Sequence, residues 1–264
     1  MNQLADIFAK CKNENRAALI GFITAGFPNK ESSVEIAKAM ISGGVDIIEV
    51  GFPYSDPVMD GPVIQRAGEQ ALALGTNSRD VLKIVSEISM LGVPVLVMTY
   101  WNPIEKFGIN KFSEELIAAG GVGLITPDLT IEEAETWNEI ADGKKLAKVY
   151  VLAPSSSDER VKLVSENCSG FIYAASLMGV TGTRESVSGD ASQLVSRIRR
   201  NSKLPVAVGL GVSNGEQARS VAAYADGVIV GSAFIKAIQS AEDFNSGLAA
   251  VKKLASELRA GVVK

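Results

Sequence analysis

Eight short, apolar, β-branched runs recur along the chain, separated by stretches with helical spacing. They are Ala18–Thr24, Asp46–Gly51, Pro94–Tyr100, Val122–Pro127, Lys148–Ala153, Gly170–Ser176, Pro205–Gly211 and Gly227–Ser232. Examples of the intervening helical segments are Ser32–Ser42, Ser78–Leu91, Lys111–Ala119, Ile131–Ala141, Asp158–Asn167 and Glu216–Tyr224. Strands that alternate with helices form a parallel sheet, and continuous apolar runs suit strands buried on both faces. Eight such units in 264 residues fit a closed (β/α)8 TIM barrel, an α/β fold of about 250 residues. An open doubly wound sheet fits less well, because no Gly-rich dinucleotide fingerprint follows the first strand. No composition shift marks a boundary, so residues 1–264 are expected to form a single domain.

Local signals refine this plan. The Leu4–Phe8 region predicts an extra N-terminal helix closing the barrel bottom, and Phe244–Leu258 a last helix packed outside. Thr130 with Glu133, Ser156 with Glu159 and Ser213 with Glu216 fit the capping-box pattern. Two connections are extended. One follows strand two and opens with PYSDPVMDGP; the other follows strand six and reads MGVTGTRESVSG. Both leave the C-terminal ends of strands, where barrel active sites lie.

Composition narrows the chemistry. The chain contains no histidine, which removes the commonest general base and metal ligand. Proton transfer near neutral pH must then fall to carboxylates, Tyr, Cys or Lys with shifted pKa values. Cys11 and Cys168 stand far apart with no CxxC, so neither a disulfide nor a metal site is expected. Lys+Arg is 26 against 30 Asp+Glu with no basic stripe, which argues against nucleic acid. No apolar run is long enough to span a bilayer and the N-terminus lacks a secretory pattern, so a cytoplasmic protein is expected.

Glu49 is the first candidate. It interrupts the apolar run DIIEVGF and shares a face with Ile47 and Gly51. Pointing inward it would sit on the active-site floor with a raised pKa; otherwise it is a carboxylate neutralised by a buried Arg or Lys. Asp56 and Asp60 follow in YSDPVMDGP, either as turn formers or with one of them over the barrel mouth. Strands seven and eight end in VGLGVSNGE and VIVGSAF, placing Gly211 and Gly231 where this fold holds phosphate. The bland reading is tight turns and a helix cap. A sugar phosphate and a flavin phosphate would both fit. No strand ends in lysine, which disfavours a Schiff-base mechanism.

From Glu49 to Gln65 the chain reads EVGFPYSDPVMDGPVIQ. With GFITAGFP, YWNPI, ITPDL, YAASLMGVTGTR, VGLGVS and VGSA in the same order, it resembles the tryptophan synthase α subunit family over nearly its whole length. The resemblance implies retro-aldol cleavage of indole-3-glycerol phosphate to indole and glyceraldehyde 3-phosphate. It implies no cofactor in this chain. It makes Glu49 the acid–base and Asp60 the carboxylate that stabilises the indole nitrogen. Phe22 and Tyr173 match positions beside the substrate, and Thr181, Gly182, Gly211, Gly231 and Ser232 match positions in the lid and around the phosphate. The implied partner is the family's β subunit, which uses pyridoxal phosphate, in an α2β2 complex. Pro53, Asp56 and Asn102 fall where family members meet or signal to it. Phe27, Leu210 and Thr130 depart from common family patterns. Two other readings stay open: another phosphate-binding barrel such as an isomerase or flavin enzyme, and a subunit that mainly activates a partner.

Overall fold

The computed structural model describes residues 3–175, 184–209 and 211–264; the side chains of 184–189 are not described. Eight parallel strands close into a barrel in chain order. They are β1 (Ala18–Thr24), β2 (Ile47–Gly51), β3 (Val95–Met98), β4 (Gly123–Thr126), β5 (Ala147–Leu152), β6 (Ile172–Ala175), β7 (Val206–Gly209) and β8 (Gly227–Val230). Each pairs with the next, and β8 returns to β1. The expected eightfold barrel is thus present. β1 coincides with its sequence expectation, while most other strands are shorter. Pro94, Pro127 and Pro205 sit just outside β3, β4 and β7, where a residue without an N–H cannot extend the ladder.

The helices follow the same order. They are α1 (Gln3–Asn13), α2 (Lys30–Ser42), α3 (Pro62–Ala73), α4 (Ser78–Ser89), α5 (Trp101–Phe107) and α6 (Ile109–Ala118). After them come α7 (Glu135–Lys144), α8 (Asp158–Asn167), α9 (Arg184–Asn201), α10 (Gly215–Ala222), α11 (Ser232–Gln239) and α12 (Phe244–Gly261). Strand alternation sorts the apolar residues into two cores. Leu19, Ile23, Ile48, Val50, Val95 and Val97 face outward and pack with the helices. Ile20, Ile47, Leu96, Ile125, Val149, Phe171 and Ile229 fill the barrel.

α1 closes the N-terminal end, as its amphipathic pattern predicted. Leu4, Phe8 and Cys11 join the inner core, and the Phe8 ring lies 5.7 Å from Phe171. Gly227 makes room for it: a side chain there would come within 3.3 Å of the Phe8 ring. Burying Leu4 and Phe8 stabilises the plug by about 2–3 kcal/mol each. Beside it, the buried Arg16 guanidinium binds Asp46 through two bonds of 2.6 and 2.8 Å and Glu14 at 2.6 Å. Asp46 also accepts the Leu19 N–H.

The capping expectations need correction by one residue in two cases. Ser157, not Ser156, caps α8 by accepting the Arg160 N–H; Ser156 accepts the Ala153 N–H. Asn214, not Ser213, caps α10. Thr130 precedes only a 3-10 turn, Ile131–Glu133, and donates to Glu133 without capping its backbone. Capping boxes form instead at Asn77 with Asp80 and Asp243 with Ser246.

Candidate active site

Glu49 is the third of five residues in β2 and lies in register with Phe22 of β1. Its neighbour two places back, Ile47, belongs to the inner core, so Glu49 points into the barrel. The side chain is fully buried, and among the described residues neither carboxyl oxygen has a hydrogen-bond partner. Among the described residues no cation neutralises Glu49. The buried cations are engaged elsewhere: Arg16 pairs with Asp46 and Lys148 with Asp142. An unpaired carboxylate in an apolar interior is costly, so the group favours its neutral form. Burial alone pushes its pKa up to about 8.

Asp60 lies in the loop from β2 to α3. Its N–H closes a turn onto the Pro57 carbonyl at 3.0 Å. The carboxylate does not cap α3, whose N-cap is Gly61. It borders a pocket of about 410 Å³, partly open to solvent, at the C-terminal mouth of the barrel. Phe22, Thr24, Gly51, Ile64, Tyr100 and Pro127 form other parts of the wall. Partial burial pushes the Asp60 pKa up to about 6. Asp56, by contrast, is exposed and accepts the Ser55 hydroxyl at 2.6 Å, which fits the turn-forming reading.

Tyr173 connects the two carboxyls. Its phenol pKa is raised by burial first, then by the negative charges of Glu49 and Asp60. Two glycines make this crowding possible. A side chain at Gly51 would overlap the Phe22 ring, and one at Gly209 would overlap the Tyr173 hydroxyl. Phe22 and Tyr173 therefore approach from separate strands, β1 and β6.

The glycine and serine that follow β8 lie at the start of α11, with Gly231 beside Phe22. Gly231 is its N-cap and supplies no side-chain bond to the first turn, so Ser232 and Ala233 begin the helix with their N–H groups directed outward. A side chain at Gly231 would stand 3.3 Å from Phe22. Gly211 has φ +64°, a left-handed conformation that favours glycine. Thr181, Gly182 and Leu210 lie outside the described residues. Phe27 is buried and packs in one cluster with Phe22, Val63, Ala67 and Ile235.

Of the positions expected to meet a partner, Asp56 is exposed and Asn102 is half-buried, donating to the Tyr54 hydroxyl at 2.9 Å. Pro53 is buried in this chain and lines the pocket, so its direct exposure to a partner is small. Two residues escaped the sequence reading. The Tyr100 hydroxyl accepts the Met59 N–H at 2.8 Å, and the Gln65 amide donates to the Pro57 and Asp60 carbonyls at 3.2 and 3.0 Å. Gln65 falls inside the motif that carries Asp60, and Tyr100 opens the YWNPI motif, but neither is marked there as a residue that holds the Asp60 loop. Among the described residues no cluster of His, Cys, Asp or Glu could hold a metal ion.

A carboxyl buried inside an eightfold barrel and a second at its C-terminal mouth, both with pKa values pushed up by burial, are features of an acid–base enzyme of the (β/α)8 class. Residues 8–263 match the family model described as tryptophan synthase alpha chain. The chain belongs to that family. It is 52% identical to the tryptophan synthase alpha chain of Thermobifida fusca over 99% of this chain and 98% of that one. It is 53% identical to the alpha chain of Streptomyces avermitilis, with 98% and 94% covered. The fold matches a ligand-free crystal structure of tryptophan synthase from Mycobacterium tuberculosis with a TM-score of 0.92 at 45% identity, covering all of both chains. An alpha subunit structure from Legionella pneumophila gives 0.91 at 34% identity, with 99% and 98% covered. The family's reaction is a lyase reaction, cleavage of indole-3-glycerol phosphate to indole and glyceraldehyde 3-phosphate. This settles the choice left open among phosphate-binding barrels.

Proposed function

We propose that Glu49 and Asp60 carry this cleavage in the present chain. The observation behind the reading is the Glu49 carboxyl, fully buried, without a hydrogen-bond partner among the described residues, and protonated near neutral pH. A neutral carboxylic acid at pH 7 is a proton donor in waiting. Glu49 gives its proton to indole C3, which becomes tetrahedral while the ring nitrogen takes up positive charge. Asp60, with its lower pKa, is ionised at neutral pH and stabilises that nitrogen. The Glu49 carboxylate then takes the proton of the glycerol hydroxyl next to the scissile bond. The C–C bond breaks, its electron pair restores the indole ring, and the oxygen becomes the aldehyde of glyceraldehyde 3-phosphate. Glu49 ends protonated, so the cycle balances.

Phe22 and Tyr173 flank the reacting carbons. Gly231 and Ser232 at the start of α11, with Gly211, hold the phosphate largely through backbone N–H groups; the family resemblance adds Thr181 and Gly182. The chain acts as one barrel unit over residues 1–264 in the cytoplasm, and needs no cofactor of its own. Its partner is a tryptophan synthase β subunit carrying pyridoxal phosphate, in an α2β2 complex, with Asp56 and Asn102 on the side that meets it. The M. tuberculosis tryptophan synthase structures among the matches support a β partner. In the test, indole release from indole-3-glycerol phosphate is measured for the wild type and Glu49→Gln, with and without a β subunit. The variant is expected to lose about 10³-fold in kcat in both settings; near-normal turnover would overturn the assignment.

A further inference from the structure

The loop that carries Asp60 is gripped from both sides. From α3, Gln65 donates to the carbonyls of Pro57 and Asp60. From the end of β3, the Tyr100 hydroxyl accepts the N–H of Met59, the residue before Asp60. The second grip stands on a fixed post. Tyr100 is buried, and its ring stacks on Tyr54 with centroids 5.0 Å apart and planes at 26°. The Thr99 hydroxyl donates to the Tyr100 carbonyl at 2.8 Å. The following N–H, of Trp101, is held by the Asp128 carboxylate at 3.0 and 3.1 Å. Ring, carbonyl and next peptide are therefore all held, so the phenol oxygen is a fixed point to which the Met59 peptide is pinned.

We propose that Tyr100 is a positioning residue, which sets where the Asp60 carboxylate stands over the pocket by holding the preceding peptide. The inference rests on Asp60 acting as described above. Burial keeps the phenol neutral, its pKa pushed up to about 12, so it serves as an anchor and does not exchange charge with the site. The adjoining peptide is the shortest lever on Asp60. Electrostatic stabilisation of a developing charge depends on placement to within about half an ångström, so a slackened loop lowers the rate of the chemical step. Substrate affinity depends instead on the Tyr100 ring, which lines the pocket and is kept by a phenylalanine. Gln65 retains the other grip, so the loss is partial.

The experiment is a double-mutant cycle on the full-length chain with its β partner, using Tyr100→Phe, Asp60→Asn and the pair. Indole release gives kcat and KM, and thermal unfolding checks that each variant folds. Tyr100→Phe is expected to lower kcat about 10-fold with KM within about twofold, and to add nothing in the Asp60→Asn background. Full kcat in Tyr100→Phe overturns the proposal. So does an equal loss in both backgrounds, which would show Tyr100 acting apart from Asp60. Asp60→Asn that itself keeps full rate sinks the Asp60 role, and the positioning role with it, whatever Tyr100→Phe does.

Discussion

Glu49→Gln should remove the activity and stabilise the protein, and the stabilisation should depend on pH. In the unfolded chain the carboxyl titrates near 4.5; in the fold, burial moves it to about 8. The folded state thus binds a proton that the unfolded state releases between those two values. Below pH 4.5 both states are protonated, and burial of the acid carries no ionisation penalty. As pH rises above 4.5, wild-type stability falls by about 1.4 kcal/mol per pH unit, until the folded group itself ionises near 8. At pH 7 the loss is about 3 kcal/mol, and above 8 it levels off at about 5 kcal/mol. An amide of the same shape has no proton to release, so it escapes this loss. For a chain of this size, thermal unfolding should show the variant higher by roughly 6–12 °C at pH 7, by about 2 °C at pH 5, and level with the wild type at pH 4. Asp60 also carries a raised pKa, but it is present in both proteins and drops out of the difference. A gain that is the same at pH 5 and pH 7, or a variant less stable than the wild type at pH 7, would refute the argument from burial.

Three further outcomes follow from the same structure. The pH profile of kcat/KM should be bell-shaped, falling below about 6 as Asp60 takes up a proton and above about 8 as Glu49 loses the one it donates; a flat profile from pH 5 to 9 contradicts this assignment. Gly231→Val places a branched side chain against Phe22 at the start of α11 and should raise KM for indole-3-glycerol phosphate at least about 10-fold, whereas an unchanged KM moves the phosphate elsewhere. Arg16→Met strands Asp46 without its buried partner and should lower stability by about 3–5 kcal/mol in urea titration; a change under about 1 kcal/mol shows the pair to be idle.

Much of this was legible in the chain because barrel strands carry their own label. The run at β1 coincides with its strand, whereas the runs that include Pro94, Pro127 and Pro205 overreach into residues that have no N–H to donate to a neighbouring strand. The inward direction of Glu49 followed from a period of two. Its lack of a partner among the described residues did not, because that depends on what seven other strands present to it. Whether Asp60 formed a turn or a site was undecidable locally; the Tyr100 bond that holds its loop spans 41 residues of sequence. The caps of α8 and α10 were misplaced for a simpler reason. Ser156–Ser157 and Ser213–Asn214 each offer two adjacent oxygens, and the path of the incoming chain decides which one reaches the helix.

The plug at the barrel floor also has a history in time. α1 is made well before its seat, which is built from later parts: Phe171 just before β6, Gly227 at the head of β8, and the strand-like contact of Arg16 with Val263. During synthesis its apolar stripe of Leu4, Phe8 and Cys11 must therefore wait, exposed, while some two hundred residues are added. The plug is complete only once β8 has been made, so the end of the barrel opposite the active site closes late.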